Sequence, residues 1–91
     1  GGGTVRTAMI ITREVDAIST RVMEELERGV TILEGAGAYT GESRPVLYCV
    51  VTRSEVATLK AIVHEADPLA FMVIGVAHEA LGEGFKPLKA K

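Results

Sequence analysis

The chain has no tryptophan, two tyrosines, two phenylalanines and one cysteine. With aromatics at 4% of its 91 residues and hydrophobic residues at 47%, any core it builds must be aliphatic. The single thiol, Cys49, excludes a disulfide framework or a cysteine metal quartet within one chain and makes a reducing compartment the default. Its place inside the apolar run VLYCVV, with no charge beside it to activate a thiolate, marks it as a small core residue rather than a nucleophile. Clustered basic residues are missing too. Ten Lys and Arg and twelve Asp and Glu are scattered, for a net charge of -2, which argues against nucleic acid as a partner. No apolar run approaches the roughly 18–20 residues needed to cross a bilayer, and no signal peptide precedes the first apolar segment, so the fragment alone is expected to be soluble. Paired carboxylates, Ser/His/Asp and Cys/His sets are likewise absent, so no catalytic residue, metal site or cofactor is expected and the chain reads as a non-enzyme.

What remains is ample for one domain. The charged share of 24% is too low for a disordered chain of this hydrophobicity. Residues 1–4 read as a linker or cloning remnant, residues 5–85 as the domain, and residues 86–91 as a flexible tail. Within the domain, VRTAMIIT (5–12) reads as a buried strand. Val15, Ile18, Val22 and Leu26 then recur at helical spacing, predicting a helix over about 13–28 with Gly29 as its C-terminal cap. The segments VTILEGAGA (30–38) and PVLYCVV (45–51) read as a hairpin. Thr52 and Glu55 form a capping box ahead of Val56, Leu59, Ile62, Val63 and Ala66, a second helix ending at Asp67-Pro68. A last strand covers LAFMVIGVA (69–77), after which Gly82 and Gly84 take the chain out of the sheet.

The order β-α-β-β-α-β predicts an α+β, ferredoxin-like sandwich: a four-stranded antiparallel sheet with two helices on one face. Strands covered on one side should alternate, yet Ala8 to Ile11, Val46 to Val51 and Phe71 to Ile74 are apolar on both parities. The uncovered face is therefore expected to be apolar and to pack against another copy or a parent protein, although the segment HEALGEGF could fold back over part of it.

Two further features invite a functional reading. The glycines Gly35, Gly37 and Gly41 fit neither a dinucleotide fingerprint, which would need glycine at Thr40 and a following helix, nor a P-loop. They mark a hairpin whose first strand weakens toward its tip. The topology brings that tip near Thr12, Arg13 and Asp67, so Arg13, Arg44 and the first amides of helix one form a candidate anion site, although the residues alone favour the plainer reading of solvated arginines and glycines that serve only the turn. His64, His78 and the cluster Glu24, Glu25 and Glu27 read as solvated surface.

The residues RGVT (28–31), GAYTG (37–41), DPLAF (67–71) and GEGF (82–85) resemble the C-terminal domain of YitT-type bacterial membrane proteins, over about Thr7 to Phe85. That resemblance implies a preceding transmembrane bundle, a position on the cytoplasmic side of the membrane, and a PII-like fold. PII signalling proteins are ferredoxin-like trimers that use the loop between the second and third strands in effector recognition. By that likeness, Gly35, Gly37, Tyr39, Thr40, Gly41 and Arg44, with Arg13, are the expected contacts of an anionic effector such as an adenine nucleotide, in a homo-oligomer (trimer or dimer). The alternative expectation is an oligomerisation module with no small-molecule ligand.

Overall fold

The computed structural model describes residues 4–85; residues 1–3 of the expected linker (1–4) and the expected tail, 86–91, lie outside it. Four strands form one antiparallel sheet: β1 (Val5–Ile11), β2 (Thr31–Leu33), β3 (Val46–Thr52) and β4 (Phe71–Ala77), in the spatial order β2-β3-β1-β4. β1 and β3 occupy the middle, pairing Met9 with Tyr48 and Ile11 with Val46, while β4 flanks β1 with Met9 opposite Val73. Helices α1 (Val15–Arg21) and α2 (Val56–Ala66) provide the two crossovers. This is the expected ferredoxin-like order.

The core follows from two periodicities meeting. Along the central strands alternate residues are buried: Ala8 and Ile10 in β1, then Leu47, Cys49 and Val51 in β3. On the helices Ile18 and Val22, then Leu59, Ile62 and Val63, repeat at spacings of three and four and close onto the same cluster. Each large aliphatic side chain fully buried here contributes about 1.5–3 kcal/mol relative to exposure. On the solvent side Arg21 joins the helices, donating to Glu25 at 2.6 Å and Glu65 at 2.9 Å.

The other parity faces out. One row, Leu33, Val46, Ile11 and Phe71, crosses all four strands, and a second, Thr31, Tyr48, Met9 and Val73, lies beside it. Met9, Ile11, Leu33, Tyr48, Phe71 and Val73 are all exposed. The described part of the segment after β4 does fold back, and Glu83, Gly84 and Phe85 share a cleft with Tyr48 and Val50 at one end of that face.

Three boundaries differ from the sequence expectation. Helix one does not run to Arg28 and cap on Gly29: after Arg21 it widens into a π-helical turn, Val22–Leu26, and stops where Glu27 adopts a left-handed φ of 57°. The left-handed Glu27 ends the helical hydrogen bonding two residues before the glycine. β2 ends at Leu33 rather than Ala38, though Ala36 still bridges Ser43 in the same register. Past the Leu33–Val46 pair the strands stay joined by Arg44 N–H donating to Gly35 O at 2.8 Å, and the glycines Gly35 and Gly37 weaken the regular strand there. The last strand begins at Phe71, two residues late, because Asp67 to Ala70 turn on themselves, Ala70 N–H donating to Asp67 O at 3.0 Å.

Candidate functional site at the hairpin end

The hairpin between β2 and β3 is a fixed frame. Arg44 N–H donates to Gly35 O, Gly37 N–H to Glu42 O and Gly41 N–H to Gly37 O, each at 2.8 Å. Glycine is required at two of these positions for different reasons. A Cβ on Gly35 would lie 2.6 Å from Arg44 O, so only a bare backbone permits that approach. Gly41 turns the chain at a φ of 73°, open to glycine at no steric cost. Thr40 closes the turn by accepting the N–H of Glu42 at 3.1 Å.

Between this hairpin, the end of β1 and the turn after α2 lies an open cleft of about 500 Å³. Thr12, Arg13, Arg44, Pro45, Asp67 and Leu69 are among the residues that line it. The expected pair of arginines is brought together here, and the intermediary is a residue that sequence reasoning passed over. Glu42 Oε1 lies 3.6 Å from Arg13 Nη2 and 3.5 Å from Arg44 Nη1. Gly35, Gly37 and Gly41 shape the hairpin, whereas Tyr39 stands fully exposed at its tip. Neither Tyr39 nor Thr40 lines the cleft.

The opposite wall is closed by Asp67, which does lie at the hairpin end as its position after α2 implied. Its carboxylate accepts the hydroxyl of the buried Thr12 at 2.6 Å and the N–H of Leu69 at 2.9 Å. The Thr12 hydrogen bond, against opposing desolvation, holds the Asp67 carboxyl below its ordinary value, helped by the N–H groups of Leu69 and Arg13. Thr12 Oγ1 also accepts the N–H of Glu14 at 2.9 Å. The amides of Arg13 and Glu14, which the sequence places at the start of helix one, thus already have internal acceptors in Asp67 and Thr12, and α1 itself begins only at Val15. Any anion binding in this cleft is left to the two guanidinium groups, whose planar forks suit phosphate and carboxylate oxygens.

A second cleft, of about 520 Å³, lies beneath the far end of β3. Its arginine, Arg28, is half-buried and held from three sides: it donates to Glu55 Oε1 at 3.1 Å and to Gly84 O at 3.3 Å, and its guanidinium stacks 4.5 Å from the Phe85 ring centroid. Glu55 also accepts the N–H of Thr52 at 2.8 Å, the reciprocal half of the capping box anticipated from sequence. Burial works to raise the Glu55 carboxyl, but the Thr52 N–H and the Arg28 guanidinium together hold it below its usual range. Cys49, at the core above, has its thiol pushed up to about 11 by burial; nothing activates it as a nucleophile. Among the described residues no group of three His, Cys, Asp or Glu is placed to hold a metal ion, and no helix is long and apolar enough to cross a membrane.

Comparison with known proteins gives this geometry a setting. Residues 28–82 match the family model described as an uncharacterized protein conserved in bacteria, DUF2179. The UPF0750 membrane protein YpjC of Bacillus subtilis is 47% identical over 85 residues, covering 93% of this chain and 29% of its own length. YitT of the same organism is 40% identical over 65 residues, 71% of this chain and 23% of its own. The chain thus spans less than a third of these two curated relatives. Among solved structures, a DUF2179 protein from Eubacterium ventriosum superimposes with a TM-score of 0.68 at 30% identity, covering 78% of this chain and 97% of that one. Arabidopsis thaliana PII bound to citrate superimposes with a TM-score of 0.74 at 12% identity, over 100% and 96% of the two chains. The last likeness establishes a PII-like fold alone.

Proposed function

The chain belongs to the DUF2179 family, and from that premise we propose that it is the C-terminal, cytoplasmic regulatory domain of a YitT-type membrane protein, reading an anionic small molecule at the 35–44 hairpin. The observation that carries this reading is the meeting of Arg13 and Arg44 on one cleft with a single loose carboxylate between them. The class of ligand is a compact polyanion. Adenine nucleotides and citrate, the molecule bound to the PII protein of the same fold, are its first representatives. A binding role rather than catalysis suits a cleft whose charged groups bind and orient but include no activated nucleophile.

Thermal melting against a panel of adenine nucleotides and citrate at millimolar concentration tests the proposal. A ligand at ten times its Kd adds about 1.4 kcal/mol, which moves the midpoint of a domain this size by several degrees. Arg44→Ala should abolish the shift and leave the unliganded midpoint nearly unchanged. No shift with any member, or a shift that survives Arg44→Ala, overturns it.

A second role is favoured by the open sheet face. Met9, Ile11, Leu33, Tyr48, Phe71 and Val73 form one apolar surface across four strands, and such surfaces on small domains serve interfaces. The second reading is therefore homo-oligomerisation through this face, as a dimer or trimer, holding membrane subunits together. Light scattering should give a mass above that of one chain, reduced to one chain by Val73→Glu. A strict monomer at high micromolar concentration removes this reading.

A further inference from the structure

We infer that Glu42 is an internal competitor for the anion position at the hairpin end, an acidic side chain standing where the first oxygen of a ligand would bind. This rests on the anion-reading role proposed above. One oxygen, Glu42 Oε1, is shared by Arg13 Nη2 at 3.6 Å and Arg44 Nη1 at 3.5 Å. Both separations exceed the roughly 2.7–2.9 Å of a charge-assisted hydrogen bond. The carboxylate therefore neutralises two guanidinium groups without satisfying either. The Arg13 side chain remains 76% exposed, Arg44 36% and Glu42 58%.

The backbone beneath is held independently of this contact. Glu42 O accepts the N–H of Gly37, Glu42 N–H donates to Thr40 Oγ1, and Arg44 N–H donates to Gly35 O. The Glu42 side chain can swing into solvent while the hairpin keeps its shape. A ligand presenting two or three oxygens on one centre, as phosphate or a cluster of carboxylates does, fits two guanidinium forks better than one shared oxygen. Its entry replaces an internal tie between the hairpin and the loop after β1 with one made through the ligand. Until then Glu42 screens both arginines and lowers the affinity for any anion by charge repulsion and by occupancy. An exposed ion pair of this kind is weak, so its removal should tighten binding roughly three- to tenfold.

The test uses the 91-residue chain, with inorganic phosphate and citrate titrated by calorimetry at matched ionic strength. Four proteins are compared: wild type, Glu42→Gln, Arg44→Ala and the double variant. Glu42→Gln keeps the size of the side chain at an exposed position, and a circular dichroism melt confirms that each variant folds. The expected result is three- to tenfold tighter binding by Glu42→Gln than by wild type, with the gain lost in the double variant. Binding by Glu42→Gln equal to or weaker than that of wild type overturns the competitor role and leaves the anion reading standing. Absence of binding in wild type and Glu42→Gln alike overturns both.

Discussion

Arg28 and Arg44 lie at opposite ends of the same sheet and make opposite uses of one chemical group. Arg28 is half-buried between a carboxylate, a carbonyl and an aromatic ring, supplied by two distant parts of the chain, Glu55 and the Gly84-Phe85 segment. Arg44 shares one carboxylate oxygen, at ion-pair rather than hydrogen-bond distance, with Arg13. A guanidinium hydrogen-bonded to a carboxylate and a carbonyl and stacked on a ring fastens segments together. One whose donors are left over, beside a cleft and on a rigid frame, is available to a ligand. The difference lies in what surrounds each side chain, and it is why the hairpin end rather than the cleft of similar size around Arg28 is the candidate site.

The sharpest way to break this contrast is to remove the carboxylate at each end. Glu55→Ala takes away both the capping-box acceptor of Thr52 and the partner of Arg28 and should cost about 2 kcal/mol in urea denaturation, most of it from the cap because the ion pair is partly solvated. Glu42→Ala should cost under about 0.5 kcal/mol. Equal losses would mean that the two ends do not differ in kind. Next in size is the frame itself: Gly35→Ala drives a methyl group to 2.6 Å from Arg44 O and should destabilise by about 1–2 kcal/mol. If the hairpin frame positions Arg44, this variant also weakens anion binding; unchanged stability would show that the frame yields freely.

At the other end, Glu27→Gly should stabilise by about 0.5–1 kcal/mol, because glycine takes the left-handed conformation that glutamate holds at a φ of 57°. A loss of stability there would mean that the Glu27 side chain does more than turn the chain. The smallest effect is on pH dependence. The Asp67 carboxyl lies below its ordinary value of 3.8, so its contribution is complete above that value and fades as pH falls through the lower, folded-state value. Asp67→Asn should flatten the acid side of the stability profile below about pH 4 and leave the slope near neutrality unchanged; an unaltered acid limb would argue against the Thr12 to Asp67 bond.

These outcomes also bear on what the residues themselves disclosed. Element order, the one-sided core and the Thr52 and Glu55 box were legible because each depends on spacings of two, three or four residues, which the chain carries locally. The assembly of Arg13 and Arg44 was legible through topology, since β1 and the hairpin must meet at one end of this fold. Glu42 was not, because its role depends on two side chains, one of them 29 positions away in the sequence, and an acidic residue in a loop ordinarily reads as solvated. The Arg28 clasp was hidden for the same reason: Gly84 follows it by 56 positions. The early stop of helix one escaped because a π-helical turn leaves the apolar spacing of Val15, Ile18, Val22 and Leu26 intact.

Cys49 sits at the middle of β3, under both helices, 2% exposed, with its thiol raised to about 11. A thiol so placed is silent toward alkylating reagents while the sheet and helices stay together, and it reacts only through molecules that have opened. The rate of its modification is then a clock for the opening of this domain, readable without any added label. Run with and without a candidate anion, that clock reports binding at the distant hairpin as a slowing of exposure at the core.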